Sequence, residues 1–166
     1  MIVSDQKIKI KIENNVVNVL KKHIQYSESS SREAGGILIG KENISDNNIV
    51  IRYITEPMTT DFRNYNSFKR LDLGHIKYFN QIYECSDGIY RYIGEWHTHP
   101  EGNPKYSFVD LHGWGKIADG CEDDNEFYHI IVGFESIRIW KYEKSNLEPI
   151  LLDTIMWSNI NDKTYT

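Results

Sequence analysis

Residues 89–118, IYRYIGEWHTHPEGNPKYSFVDLHGWGKIA, hold a strand, a loop and a helix in that order. Ile89 to Thr98 is rich in apolar and aromatic side chains and reads as a strand. Pro100 cannot continue a central strand, so the chain turns out there. Ser107 to Ala118 then reads as a helix entered through a loop with two prolines. Upstream, Leu71 to Cys85 has a helical pattern, with Leu73, Ile76, Phe79, Ile82 and Tyr83 on one side and Ser86-Asp87-Gly88 as its stop. Residues 56–68, EPMTTDFRNYNSF, carry neither periodicity and are expected to form a long exposed loop. Gly35 to Gly40 is an apolar run bounded by glycines, a buried strand expected to pair with Ile49 to Thr55 across a turn at residues 45–48. Lys7 to Glu13 alternates Lys and Ile as a half-buried strand does. Asn14 and Asn15 can cap a helix with Val16, Val17, Leu20 and Ile24 on its apolar face, before a polar loop from Ser27 to Ser31. Downstream, Phe127 to Phe134, Ile137 to Tyr142 and Leu147 to Ile155 are strand-like, with Glu135-Ser136 as a tight hairpin. Helices between runs of strands predict an α/β fold: one layered domain over residues 1–166, with a mixed central sheet flanked by helices.

Composition narrows the function. The 166 residues are 40% hydrophobic and 13% aromatic, with eleven Tyr and four Trp, which excludes a disordered chain. A net charge of -5 argues against a nucleic-acid surface, because phosphate neutralisation needs an excess of Lys and Arg. No stretch approaches the ~20 apolar residues of a membrane span, and no secretory leader is expected, so the reading is a soluble, cytoplasmic protein without a membrane partner. Cys85 and Cys121 lack C-x-x-C spacing and are expected to be ordinary free thiols.

The chemistry lies where the strand meets the loop. On a strand, residues i and i+2 share a face, so His97 and His99 present two imidazoles side by side at its end. Asp110 lies early in the next helix, from which its carboxylate can project back toward them. Two imidazoles and one carboxylate suit catalytic zinc, whose fourth position stays open. Each piece also has an ordinary explanation. Ser107-x-x-Asp110 is a capping-box-like pattern, and an isolated H-x-H is commonly two surface histidines. Only seven residues separate His99 from Ser107, however, so strand end and helix start must lie close together. A proton acceptor is needed as well. Glu33, just ahead of the Gly35 strand, and Glu95, on the same strand face as both histidines, compete for that role, and spacing alone does not choose between them. Trp96 alternates with the histidines and is expected to face the core. His23, His75, His112 and His129 are expected to serve packing or solvent.

Taken together, Glu33 ahead of Gly35-Gly36, His97-x-His99-Pro100 and Ser107-x-x-Asp110 resemble the motif of the JAMM (MPN-domain) zinc metalloproteases. The flanks, Arg32-Glu33-Ala34-Gly35-Gly36-Ile37-Leu38 and Gly94-Glu95-Trp96-His97-Thr98-His99-Pro100-Glu101, resemble more closely still the bacterial branch found in CBASS antiphage and related conjugation operons. The resemblance implies zinc held by His97, His99 and Asp110, Glu33 rather than Glu95 as the general acid/base, and Ser107 as a hydrogen-bond donor to the oxyanion. It also implies a deconjugating isopeptidase acting on a protein with an extended C-terminal tail, a conjugated cyclic-dinucleotide synthase in that branch. Arg63 and Phe68 in the 56–68 loop, with neighbouring Arg70, are expected to line the groove that holds the tail. Two other readings are a scaffold of the same fold that has lost its metal, and an unrelated H-x-H enzyme of cupin type. No ligand of the first set is missing, and Glu101 comes too early for the second.

Overall fold

The computed structural model describes residues 8–26, 31–43, 45, 47–121, 126–146 and 148–160. Nine strands, three helices and a short 3-10 turn are assigned among them: β1 (Lys9–Ile12), α1 (Asn14–Lys22), β2 (Gly35–Asn43), β3 (Asn48–Ile54), β4 (Phe62–Asn64), β5 (Ser67–Lys69), α2 (Gly74–Cys85), β6 (Arg91–Thr98), α3 (Phe108–Asp119), β7 (Glu126–Val132), β8 (Ser136–Glu143) and β9 (Ile150–Met156). Seven strands form one mixed sheet in the order β1-β3-β2-β6-β7-β8-β9, with β1·β3 and β6·β7 parallel and the remaining pairs antiparallel. The fold is the α/β layered type expected. No described helix is long and apolar enough to cross a membrane.

The two faces of the sheet differ. On one, Val16, Val17 and Leu20 of α1 pack with Leu38, Ile51, Ile93, Trp96, Ile130, Val132 and Ile139 in the main core. On the other, Trp114 of α3 packs with Ile131 and Trp140. Alternation along β7 therefore sends odd residues to α3 and even ones to the main core, and His97 shares the α3 face because it pairs with Ile131. Gly94 is required where β6 lies close against β7: a Cβ there would lie 2.0 Å from the Tyr128 carbonyl oxygen.

Several local expectations need correction. Glu13, not Asn14 or Asn15, is the N-cap of α1, and it makes no side-chain cap; Asn15 Nδ2 instead donates to Arg52 O at 2.9 Å. Residues 56–68 are not a plain loop, because β4 and β5 close a small hairpin with Arg63 opposite Phe68. The helix expected from Leu71 begins three residues later, at Gly74. The expected apolar face of α2 is largely outside the core, with Leu73 82% exposed, and the side chain this helix buries is His75. His75 is wholly buried between Thr55 Oγ1 (2.6 Å from Nδ1) and Asp61 Oδ2 (2.8 Å from Nε2). Asp61 also accepts the Met58, Leu71 and Asp72 N–H groups, so this network pins both ends of the hairpin insertion to the sheet. The polar stretch 27–30 lies outside the described residues.

Candidate metal centre

The placement of His97, His99 and Asp110 follows from local structure. Trp96 faces the core, 1% exposed, with its indole N–H donating to Thr55 O at 2.9 Å. His97, one residue on, therefore faces α3. His99 lies just beyond the end of β6, but its N–H donates to Val132 O at 2.9 Å, which carries the pairing with β7 one step further. Ser107 is the N-cap of α3 and Asp110 its third residue, with both halves of a capping box present. Asp110 N donates to Ser107 Oγ (3.2 Å), while Ser107 N–H and O–H both donate to Asp110 Oδ2 (2.6 and 2.7 Å). Capping and metal-binding geometry are thus compatible. The same carboxylate places Oδ1 3.1 Å from His97 Nε2 and Oδ2 3.4 Å from His99 Nε2.

This donor set fits a small divalent cation. The two Nε2 atoms are 3.0 Å apart, and all three ligand atoms lie within 4.8 Å of one another. Tetrahedral coordination with bonds near ~2 Å needs ligand separations of roughly 3.3 Å, close to what the side chains already have. Among the described residues no other group of His, Cys, Asp or Glu meets this condition. Burial opposes ionisation of Asp110, but hydrogen bonds from His97 and His99 more than reverse it and hold the carboxyl well below the usual range. Burial likewise disfavours a charged His97, and Asp110 beside it raises the imidazole's proton affinity instead.

A cavity of about 490 Å³ opens over the array, bordered by Glu33, Phe68, Arg70, Glu95, Ser107 and Trp114. Glu33 is 4% exposed; burial pushes its carboxyl up to about 7, partly offset by His97 and His99. Glu95 borders the same cavity, but its Oε1 accepts a hydrogen bond from Arg70 Nε at 2.7 Å, which commits it to an ion pair. Phe68 lines the cavity as expected. Arg63 does not: its Nε donates to Glu33 O (2.7 Å) and its Nη2 to Arg32 O (3.2 Å), so it grips the backbone behind the cleft. His112 is exposed, whereas His129 is fully buried, stacked on Trp114 at 4.4 Å and 5°, and accepts the Glu95 N–H at Nδ1. Burial holds its pKa down to about 3, so its ring stays neutral.

The state of Glu33 has a measurable consequence in metal-free protein. Its carboxyl rises in the fold from 4.5 to about 7, so the stability of the protonated form is present below pH ~4.5 and lost as pH climbs through ~7. At about 1.4 kcal/mol per tenfold change in proton affinity, the ionised acid costs at most about 3.5 kcal/mol, less after solvent relaxation. Metal-free Glu33→Gln is therefore expected to melt higher than wild type at pH 8 and to match it near pH 4.5; scanning calorimetry at both pH values checks this.

Comparison with known proteins agrees with the geometry. The family model for prokaryotic homologs of the JAB domain matches residues 17–143, a span that contains Glu33, His97, His99, Ser107 and Asp110. The chain belongs to the JAB (MPN) family. Three curated proteins similar to this JAB domain are each named a CD-NTase/cGAS isopeptidase. The one from Escherichia coli is 35% identical over 73% of this chain and 74% of its own. Those from Pseudomonas aeruginosa and Vibrio cholerae are each 30% identical, over 81% and 85% of this chain and 84% and 92% of theirs. A solution structure of a Desulfitobacterium hafniense protein superposes with a TM-score of 0.51 at 12% identity, covering 86% of this chain and 88% of that one, a likeness of fold alone.

Proposed function

We propose that this JAB domain is a zinc-dependent isopeptidase that releases a conjugated protein from its target by attack of water on the amide carbonyl. The observation that carries the reading is the convergence, in one cleft, of a His-His-Asp ligand array and a buried Glu33 whose carboxyl is poised near neutral pH. His97, His99 and Asp110 would hold the ion. Bound zinc would supply a Lewis acid that lowers the pKa of water toward ~7 and polarises the carbonyl. Glu33 takes a proton from the attacking water and returns it to the leaving amine, a task suited to a carboxyl with pKa near 7. The Ser107 hydroxyl, which donates to Asp110 in the resting site, turns toward the carbonyl oxygen as negative charge develops there. Glu95 is the weaker candidate for the proton because Arg70 already neutralises it.

The name the three relatives share, CD-NTase/cGAS isopeptidase, points to a conjugate of a cyclic-dinucleotide synthase as the substrate. Its C-terminal tail would lie extended past Phe68 and Arg70 and pair with an edge of the β4–β5 hairpin, where main-chain hydrogen bonds hold a peptide without demanding one sequence. A non-catalytic scaffold is disfavoured, since every member of the array and its neighbouring acid are present. Purified protein is expected to carry about one zinc per chain and to cleave a synthase tail joined through its C-terminus to a lysine of a reporter protein. Chelation should abolish cleavage and zinc addition restore it. Cleavage by metal-free protein at the same rate would overturn the proposal.

A further inference from the structure

Residues 31–34, which carry Glu33, lie outside the sheet, because β2 begins at Gly35. Backbone polar groups that lack a ladder must be satisfied some other way, and here three elements share the task. The β4–β5 hairpin supplies Asn64 O, which accepts the Glu33 N–H at 2.7 Å, and the Arg63 guanidinium already described. The end of β6 supplies Thr98, whose Oγ1 accepts the Ala34 N–H at 3.0 Å and whose N–H donates to Ala34 O at 2.9 Å. The third is Gln25, past the end of α1, wholly buried. Its Nε2 donates to Ser31 O (3.1 Å) and Tyr65 O (2.6 Å), and its Oε1 accepts the Thr98 hydroxyl at 3.0 Å. Both amide protons and the carbonyl are used, the full complement expected of a buried Gln that fixes its surroundings. This one side chain reaches the segment of the acid, the turn of the hairpin and the residue between the two imidazoles.

We infer that Gln25 is a positioning residue for Glu33: through Ser31, Tyr65 and Thr98 it fixes the segment bearing the acid against the strand bearing His97 and His99. The inference rests on the reading of Glu33 as the proton acceptor, and the test separates the two. Gln25→Leu, Thr98→Val, Thr98→Ser and Glu33→Gln are compared as full-length zinc-loaded chains on the reporter conjugate, and as metal-free chains by amide hydrogen exchange over residues 31–34. Gln25→Leu and Thr98→Val should each lower kcat about 10-fold or more with KM within about twofold, the signature of a displaced reacting group. Zinc per chain should stay unchanged, and exchange at Glu33 and Ala34 should quicken in the metal-free protein. Thr98→Ser keeps the hydroxyl and should retain wild-type values for both. Should Gln25→Leu fail to fold, the Thr98 pair decides. Wild-type exchange and kcat in Gln25→Leu and Thr98→Val, or loss of zinc in step with kcat, would overturn the inference. In a Glu33→Gln background Gln25→Leu should add no further loss, and an undiminished loss there would overturn it as well. If Glu33→Gln itself retains turnover, the reading of the acid fails instead.

Discussion

Glu33→Gln is expected to leave zinc bound at about one ion per chain and to lower conjugate turnover by about 10²- to 10⁴-fold, the range a positioned general base contributes. The amide matches the carboxyl in shape and borders the same cavity, so the fold and the ligand array are preserved. What it removes is a proton acceptor in a desolvated setting. Burial has already raised the Glu33 carboxyl to about 7, so at neutral pH the group is divided between its two protonation states and can both accept and donate. The alternative acceptor, Glu95, is held by Arg70 at 2.7 Å. Replacing Glu95 should therefore disturb the wall of the cleft and change KM more than kcat. Single-turnover cleavage with parallel metal analysis distinguishes the outcomes: a Glu33→Gln chain within a few-fold of wild type would transfer the role to Glu95 or to solvent.

The same substitution is expected to raise stability and lower rate. Metal-free Glu33→Gln should gain stability above neutral pH because a buried charge is removed. A site that keeps an ionisable group where its charge is penalised forgoes stability for reactivity.

How much of this was legible in the sequence depends on the range of the interactions involved. Period two at His97 and His99, the short gap to Ser107 and the helix pattern after it are local, and the side chains of His97, His99 and Asp110 do converge. The capping box was legible for the same reason, and its acid, Asp110, is the residue that faces the imidazoles. Glu33 and Glu95 were not separable from spacing, because what separates them is burial of one and an ion pair with Arg70 on the other. The hairpin at 62–69 escaped notice because its strands are three residues each, too short to show alternation. Arg63 does not line the groove because its guanidinium is held by the carbonyls of Glu33 and Arg32, 30 and 31 residues earlier in the chain, and no local pattern shows partners at that range. Gln25 gave no signal. A single Gln beyond an amphipathic helix looks like solvent-facing polarity, and its partners are 6, 40 and 73 residues away. His75 in a helix, and His129 in a strand interior, were likewise indistinguishable from ordinary packing, although Thr55, Asp61 and Trp114 give them defined partners.

Asp110→Asn and Ser107→Ala are expected to fail in different ways, although the two side chains touch. Asp110 has two connections: its oxygens face His97 and His99, and Oδ2 accepts from Ser107 N–H and O–H. An amide oxygen can still accept from the Ser107 N–H, so Asn retains much of the cap. It lacks the charge that a divalent ion requires, and zinc affinity should fall, with activity lost at limiting metal and partly recovered at excess. Ala at 107 removes the acceptor for the Asp110 N–H and one donor to its carboxylate, which costs about 1 kcal/mol of helix capping. It leaves the three ligand side chains in place, so zinc content should be unchanged while kcat falls about 10²- to 10³-fold, the scale of one oxyanion donor. Metal titration, thermal melts and kcat on the two variants give crossed results: affinity falls in Asp110→Asn, while melting temperature and kcat fall together in Ser107→Ala. Equal zinc affinity in both variants would mean that Asp110 serves the helix alone, and the metal centre would have to be sought without it.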